Sequence, residues 1–254
     1  MRRSVFFDSS APPELLERLG RSGEMLRLYE EGSPLGSGRG TARLIELDGK
    51  KYILKKEARG GLTARFLPDS FFSLERFDGE WLIQEFACSR GLSFPLVGRW
   101  FIKRHLVLFD IYTLAPFVEG CVSLTELIRS EKLTGNELRL AGKAVASMHK
   151  KGIFHGDLNC GNILIRGEEA SVIDFKGSYI FSAPLPAALS KKNIQRLLRS
   201  CFKECARAGI SAGIPFSEHI LDGYSEERSE PWVAGFSKRS GVSFLRRMAY
   251  RFKF

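Results

Sequence analysis

The sequence predicts an α+β fold of two lobes, with a small β-rich N-terminal lobe over residues 1–118 and a mainly helical C-terminal lobe over residues 119–254. The first observation behind this prediction is the order and spacing of the polar segments at residues 155–162 and 173–175. The second is a strand–turn–strand pattern near residue 48 that is followed by helical spacing of apolar residues around residue 145. The third is the length, because 254 residues suffice for two modest domains.

A hairpin is the first element that the N-terminal lobe should contain. Residues 41–47 are strand-like, Asp48-Gly49 is a hairpin-turn dipeptide, and residues 51–55 provide the returning strand. A glycine-rich segment, residues 36–40, comes immediately before this hairpin. A glycine cluster alone is weak evidence of phosphate binding, but its position before a strand that carries lysines favours that interpretation.

Helices follow the hairpin. One is expected from about Phe77 to Arg90, because Gly91 is typical of a helix C-terminus. In the second lobe, the Ser-Leu-Thr-Glu sequence at residues 123–126 has the pattern of a capping box. A further helix is predicted by apolar residues at helical spacing and should end at Gly152. These apolar residues are Leu138, Ala141, Val145 and Met148.

The segment His-Gly-Asp-Leu-Asn-Cys-Gly-Asn at residues 155–162 carries the groups that move a phosphoryl group. Phosphoryl transfer needs one carboxylate that orients the acceptor hydroxyl and oxygen ligands that hold Mg²⁺ against the phosphates. Residues 163–165 and 171–173 are predicted as two strands joined by a turn over residues 166–170. Asn162 and Asp174 should therefore lie at the same end of this hairpin and face one metal ion.

Each of these short sequences alone is commonly a turn or a strand end. In this order and spacing they match the catalytic loop and metal-binding signature of the protein-kinase-like fold. We therefore predict an ATP-dependent kinase in which Asp157 is the catalytic residue and Asn162 and Asp174 bind Mg²⁺. His155 is expected to support the loop and not to act as a general base.

The remaining predicted residues bind ATP. The fold requires a glycine-containing phosphate loop, a lysine on a following strand and a glutamate on a helix. Glu80 is the first choice for the glutamate, although Glu85 lies on the same helix and stays open. The predicted ATP-binding residues are Gly36, Gly38, Arg39, Gly40, Lys55 and Glu80.

Four further segments resemble the bacterial lipopolysaccharide-core kinases, and within that family the 3-deoxy-D-manno-octulosonic acid (Kdo) kinases. They are the phosphate-loop region at residues 38–42, the Leu-Lys strand with the Arg-Gly-Gly-Leu sequence at residues 59–62, the Gly-Leu-Ser-Phe-Pro turn at residues 91–95, and the basic helix at residues 193–200. The resemblance covers most of the chain, from about Gly36 to Tyr224. In two places the chain departs from the expected pattern: Lys55 stands where many relatives have arginine, and Lys176 follows Phe175 where protein kinases have glycine.

This resemblance implies an enzyme that uses ATP and Mg²⁺ to phosphorylate the Kdo sugar of Kdo-lipid A or a related lipopolysaccharide acceptor. It also implies a cytoplasmic protein on the inner face of the inner membrane. The five cysteines form no Cys-x-x-Cys pair, as expected of reduced thiols, and no apolar run approaches the roughly 20 residues that cross a bilayer.

The charge independently predicts an anionic partner. The formal net charge is +10, which attracts phosphate-bearing surfaces such as anionic lipids. Basic and aromatic residues alternate over residues 232–254, in the pattern of an amphipathic segment on a bilayer or of a packed final helix. We expect no nucleic-acid partner, because no binding motif accompanies the charge.

Other functions stay open at this point. A heptose kinase would share every catalytic residue. A small atypical protein kinase of the RIO or Bud32 kind is less favoured, because the chain carries the Arg-Gly-Gly segment and the basic helix at residues 193–200. The candidate from a different class is a nucleotide-binding scaffold that lacks catalysis. The presence together of Lys55, Asp157, Asn162 and Asp174 argues against the scaffold, because it would need none of their chemistry.

Overall fold

The computed structural model describes residues 3–7, 13, 17, 19, 22–35, 42–57, 75–105, 108–210 and 216–233. The chain forms two compact units. The first comprises residues 1–81 and 94–119, and the second comprises residues 82–93 and 120–254. Residues 82–93 thus belong to the second unit. The lobe boundary predicted from the sequence, between residues 118 and 119, stays a prediction.

The first unit is built on an antiparallel sheet of six strands in the order β1-β5-β6-β4-β3-β2. The strand bounds are β1 Arg3–Phe7, β2 Ser33–Pro34, β3 Ala42–Leu47, β4 Lys50–Lys56, β5 Gly98–His105 and β6 Leu108–Pro116. Helix α1, Ser22–Glu31, contributes Met25 and Leu28 to an apolar core that includes Leu54, Trp100 and Leu114 of the sheet.

The predicted hairpin at residues 41–55 is confirmed. β3 and β4 pair from Ala42 opposite Lys55 to Leu47 opposite Lys50. Asp48 and Gly49 have φ angles of 51° and 73°, as a two-residue hairpin turn with both central residues in the left-handed region requires.

Helix α2, Glu75–Ser89, is two residues longer at its start than predicted and ends before Gly91, which has φ = 69°. Its residues through Trp81 belong to the first unit and the remainder to the second. Phe77 packs with Phe101 and Ile111 in the first unit, while Ile83 and Ala87 join the core of the second.

The second unit is mainly helical, with α3 Leu124–Arg129, α4 Gly135–Lys150, α5 Ala187–Ala208 and α6 Phe216–Glu227. The predicted capping box at residues 123–126 is confirmed, since the Ser123 side chain accepts from Glu126 N–H and Glu126 accepts from Ser123 N–H. Helix α4 contains the predicted apolar repeat on its buried face and begins with a second capping box, between Thr134 and Glu137. None of the described helices combines the length and apolar character needed to cross a lipid bilayer.

Short strands complete this unit. They are β7 Val122–Ser123, β8 Ile153–Phe154, β9 Ile163–Arg166, β10 Glu169–Val172 and β11 Tyr179–Ile180. β9 pairs with β10 and β7, and β8 pairs with β11. The β9–β10 hairpin is present, but its turn spans only Gly167 and Glu168, so the predicted five-residue turn was too long. The strands extend further because Arg166 and Glu169 pair across the turn, both through the ladder and through an ion pair at 3.2 Å.

Candidate active site

The open end of the β9–β10 hairpin brings two of the predicted site residues together. Beyond the last ladder pair, Val172 opposite Ile163, the Ile173 N–H donates to the Asn162 carbonyl at 3.0 Å. Asp174 follows directly and has φ = 61°, a left-handed conformation that few residues other than glycine adopt. Such conformations cost free energy and occur preferentially at functional sites.

The loop before β9 places Asp157 at the same end. Asn162 Nδ2 donates to the Asp157 carbonyl at 3.0 Å, and Asn159 Nδ2 donates to the same oxygen at 2.9 Å. These two bonds orient the backbone of Asp157 while its carboxylate stays 56% exposed. Asn162 therefore touches Asp157 through its amide nitrogen, and its amide oxygen is the atom that can bind a cation.

His155 holds this loop through both ring nitrogens. The Asp157 N–H donates to Nδ1 at 3.1 Å, and Nε2 donates to the Ile173 carbonyl at 3.1 Å. Burial lowers the pKa of His155, so the ring is neutral near neutral pH. A neutral ring engaged on both sides links the catalytic loop to the hairpin end and leaves neither nitrogen for a substrate proton.

Gly156 is required by a close approach. A Cβ at this position would lie 2.1 Å from the Gly177 carbonyl oxygen, which no side chain permits. The Gly156 N–H donates to Ser178 Oγ at 3.1 Å. The His-Gly-Asp sequence is therefore packed directly against the segment that follows Asp174.

Asn193 on α5 holds the backbone of the loop at His155, a role that was not predicted from the sequence. Its Oδ1 accepts from the His155 N–H at 3.0 Å, and its Nδ2 donates to the His155 carbonyl at 2.8 Å. His149 Nε2 lies 3.1 Å from the same Oδ1, and His149 Nδ1 lies 3.0 Å from the Tyr224 hydroxyl. Burial lowers the pKa of His149 to about 3 and raises the pKa of Tyr224 to about 12, so this network is neutral.

Arg196, one turn further along α5, forms an ion pair with Asp157 Oδ1. Both side chains are about half exposed, and exposed ion pairs contribute little to stability. The pair therefore points to a role in positioning the Asp157 carboxylate. Sequence reasoning named the helix but not this residue. The available signal was that residues 155–162 contain no lysine or arginine to accompany the Asp157 carboxylate.

Cys160 ties the loop to its two neighbouring helices. Its thiol lies 3.1 Å from Thr125 Oγ1 on α3 and 3.1 Å from Ser200 Oγ on α5. A hydrogen bond with Cys201 is the main cause that lowers the pKa of Cys160 to about 6, with the Ser200 and Thr125 hydroxyls adding to it. All five cysteines are free thiols, as predicted.

Two of the predicted ATP-binding residues, Lys55 and Glu80, lie in a polar network of the first unit. Lys55 Nζ is 3.8 Å from Glu57 Oε2, and Glu57 Oε1 accepts from the Thr113 hydroxyl at 3.1 Å. Arg99 Nε donates to the same hydroxyl at 3.3 Å and its guanidinium lies 3.9 Å from the buried Glu80 carboxylate. Glu57 and Arg99 were missed by the sequence analysis, although Glu57 is only two residues beyond Lys55.

The other candidates have different positions. Glu85 is exposed on α2, whereas Glu80 is buried. Glu80 remains the better candidate for a structural or ligand-binding carboxylate in the first unit. The predicted phosphate-loop residues Gly36, Gly38, Arg39 and Gly40 lie outside the described residues.

The donor set at the hairpin end fits Mg²⁺ better than it fits a transition metal. Across the ranges that the structure describes, no group of three or more His, Cys, Asp or Glu side chains is placed to hold a metal ion. Mg²⁺ needs no such cage, because one or two protein oxygen ligands with substrate phosphates and waters suffice. Asn162 and Asp174 provide such oxygens, and the Ile173–Asn162 hydrogen bond keeps them at one end of the hairpin.

Comparison with known proteins gives a consistent family. The model of the lipopolysaccharide kinase (Kdo/WaaP) family matches residues 28–217. The 3-deoxy-D-manno-octulosonic acid kinase of Vibrio cholerae is 27% identical over 205 residues, which cover 78% of this chain and 86% of the relative. The protein of the same name from Mannheimia succiniciproducens is 31% identical over 196 residues, covering 74% and 82%.

Among solved structures, the chain is similar to one described as WaaP in complex with acyl carrier protein. The TM-score is 0.58, with 16% sequence identity and complete coverage of both chains. At this identity the similarity concerns the fold alone, and it confirms the predicted two-part α+β, kinase-like architecture. With three quarters of its length matched by the family model, the chain belongs to the lipopolysaccharide kinase (Kdo/WaaP) family.

Proposed function

We propose that this chain is an ATP-dependent kinase that phosphorylates the Kdo sugar of Kdo-lipid A or a closely related lipopolysaccharide acceptor. Family membership and the relatives named as 3-deoxy-D-manno-octulosonic acid kinases support this acceptor. The observation that carries the chemistry is the contact between Asn162 and the Asp157 backbone beside the hairpin end that bears Asp174. A carboxylate, an amide oxygen and a second carboxylate are the protein groups that phosphoryl transfer uses.

In the proposed mechanism, Asp157 orients the acceptor hydroxyl toward the γ-phosphate and accepts its proton late in the transfer. The exposed carboxylate can reach a sugar hydroxyl from solvent, while His155 and the two asparagines fix its backbone. Arg196 holds one carboxylate oxygen, Oδ1, so that Oδ2 is directed to the acceptor. Positioning of this kind is the main contribution that a kinase makes to phosphoryl transfer.

Asn162 and Asp174 would hold Mg²⁺ through oxygen atoms. When bound, the ion neutralises charge on the phosphate oxygens and thereby favours transfer. Lys55 is proposed to pair with phosphate oxygens of ATP, with Glu57 keeping its ammonium group oriented at 3.8 Å. The left-handed backbone of Asp174 supports this role, because such strained conformations occur preferentially at functional sites.

We further propose that the protein is peripheral on the cytoplasmic face of the inner membrane, where its acceptor would be presented. The net charge of +10 supports attraction to an anionic lipid surface. No nucleic-acid partner is proposed.

The decisive experiment offers the enzyme ATP labelled in the γ-phosphate together with either Kdo-bearing lipid A or heptose-bearing core. Transfer to the Kdo acceptor, located by mass spectrometry, supports the proposal, and transfer only to heptose identifies the other acceptor class. Asp157→Ala should reduce turnover by about 10²–10⁴-fold while ATP still binds. Asp222→Ala, an exposed aspartate on α6, is the matched control and should leave turnover unchanged. Loss of ATP binding in Asp157→Ala would contradict its assigned role.

The metal ligands need their own variants. Asn162→Ala and Asp174→Ala should both raise the Mg²⁺ concentration required for half-maximal activity, because each removes one oxygen ligand. An unchanged Mg²⁺ requirement in either variant would remove that residue from the proposed site.

A further inference from the structure

Three consecutive large apolar residues are exposed next to the catalytic loop. Tyr179, Ile180 and Phe181 are 62%, 45% and 41% exposed, and we call them the apolar patch. Elsewhere in the described residues, the exposed large apolar side chains are isolated ones, Leu82 and Val122. A run of three exposed apolar residues is uncommon on a soluble surface and marks an interaction site.

Backbone hydrogen bonds hold the segment that carries the apolar patch. β11 pairs with β8 so that Tyr179 lies opposite Phe154 and Ile180 opposite Ile153, which is completely buried. The Phe181 N–H donates to the Gly152 carbonyl at 2.9 Å. The strand pairing places Tyr179 on the same face of the ribbon as Phe154 and places Ile180 on the opposite face with Ile153, although both Tyr179 and Ile180 are exposed.

A row of cations lies on the outer face of α5. Lys192, Arg196, Arg199 and Lys203 are all exposed, and we call them the basic stripe. Their spacing of four, three and four residues places them along one face over roughly 16 Å. The opposite face of α5 is buried through Ile194, Leu197, Leu198 and Cys201.

Contacts join the patch, the stripe and the catalytic carboxylate. Lys192 Nζ lies 5.7 Å from the centre of the Phe154 ring, and Phe154 is the cross-strand partner of Tyr179. Arg196 is the ion-pair partner of Asp157. Helix α5 and the β8–β11 ribbon of the second unit thus bring Tyr179, the basic stripe and the residue proposed to orient the acceptor onto neighbouring elements.

We propose that this surface is the face on which the protein docks to an anionic lipid bilayer. The apolar patch enters the interface, and Lys192, Arg199 and Lys203 of the basic stripe pair with lipid phosphates while Arg196 stays paired with Asp157, a combination typical of peripheral membrane proteins. Charge complementarity selects this occupant, because these cations beside an apolar patch suit a phosphate-bearing lipid surface. The importance of this docking for catalysis rests on the proposed function, because docking here would bring Asp157 to a lipid-linked sugar.

Binding of the full chain to vesicles tests the surface directly. The vesicles contain phosphatidylglycerol mixed with phosphatidylcholine, and pure phosphatidylcholine serves as the uncharged comparison. The variant Tyr179→Ser/Ile180→Ser/Phe181→Ser should bind at least about tenfold more weakly, because it removes apolar groups that enter the interface. Arg199→Ala/Lys203→Ala should weaken binding roughly 25-fold, since each cation near an anionic leaflet contributes roughly fivefold.

Two matched controls leave the surface intact. Leu82→Ser removes an exposed apolar side chain elsewhere, and Lys50→Ala/Lys132→Ala removes the same net charge from exposed lysines outside the stripe. Both controls should bind the anionic vesicles like the wild type. If all variants bind the anionic vesicles equally well, or if the controls lose as much vesicle affinity as the surface variants, the proposed docking face is refuted. If the patch variant does not fold, the Arg199/Lys203 variant alone decides.

Activity measurements separate this inference from the proposed function. On a water-soluble Kdo glycan without acyl chains, the patch variant should keep wild-type turnover, whereas on vesicle-embedded Kdo-lipid A it should lose activity in parallel with binding. If the wild type binds vesicles through the patch but phosphorylates no Kdo acceptor, the proposed function is refuted and the docking face is still supported. If the patch variant phosphorylates vesicle-embedded Kdo-lipid A as well as the wild type does, the docking face is refuted and the proposed function is still supported.

Discussion

Replacement of Asn193 by leucine should test how the catalytic loop is held. Asn193 is almost completely buried, and its amide satisfies the N–H and the carbonyl of His155 and the Nε2 of His149, at 3.0, 2.8 and 3.1 Å. Leucine has nearly the same size, so the main loss is the hydrogen bonds. Each buried polar group left without a partner costs about 1–3 kcal/mol, so the three groups together should reduce the free energy of unfolding by at least about 3 kcal/mol.

The assay is urea unfolding followed by fluorescence and circular dichroism, with Gln195→Leu as the matched control. Gln195 is half-buried on the same helix, and its replacement should change the free energy of unfolding by much less. Under conditions in which Asn193→Leu is still folded, kcat should fall more than the ATP affinity, because the loop that carries Asp157 is displaced. If Asn193→Leu unfolds at the same urea concentration as the wild type, the amide does not hold the buried backbone groups as we argue.

Three more predictions concern the same loop. Burial lowers the pKa of His149 to about 3 from an ordinary value of 6.5, so the unfolded chain binds more protons between these values and stability falls with decreasing pH in that window. Between pH 7 and about pH 4.5 this proton uptake should lower the free energy of unfolding by about 3 kcal/mol, and His149→Gln should remove most of that loss, measured by urea unfolding at both pH values. If the free energy of unfolding of His149→Gln falls with pH as steeply as that of the wild type, His149 is not the source of the loss. Arg196→Gln should lower kcat about 10–100-fold, because the Asp157 carboxylate is no longer positioned, and Arg196→Lys should restore part of the loss. The melting temperature should not change, since exposed ion pairs contribute little to stability. A wild-type kcat in Arg196→Gln would contradict the positioning role. Gly156→Ala should destabilise the protein by about 1–3 kcal/mol in thermal unfolding, because its Cβ would clash with the Gly177 carbonyl, whereas Gly79→Ala, with open space around it, should not.

Local sequence predicted the elements whose signals are local. The Asp48-Gly49 turn and the Ser123 capping box depend on residues within a few positions of each other, and both are present. The position of Asn162 beside the residue before Asp174 was also predictable, because an antiparallel hairpin brings its two ends together whatever its turn. The length of that turn was not, since it depends on side-chain pairing across the strands.

Contacts between distant parts of the chain escaped prediction. Arg196 lies 39 residues from Asp157, and Asn193 lies 38 residues from His155. Helix packing decides which of the basic and polar residues of α5 faces the loop, and the pattern of α5 alone allows several choices. Glu57 illustrates the same limit, because the pairing of β4 with β6 brings it to Thr113, 56 residues away.

The residues that hold the loop and the residues proposed for catalysis differ in charge state for a physical reason. His149, His155 and Asn193 are buried and neutral, and burial lowers the pKa of both histidines, so the support beneath the loop keeps its hydrogen bonds without a buried charge. Asp157 and Arg196 are charged and about half exposed, where water limits the cost of their charges. The buried support therefore fixes the backbone of the loop without a buried charge, while the exposed Arg196 guanidinium positions the Asp157 carboxylate.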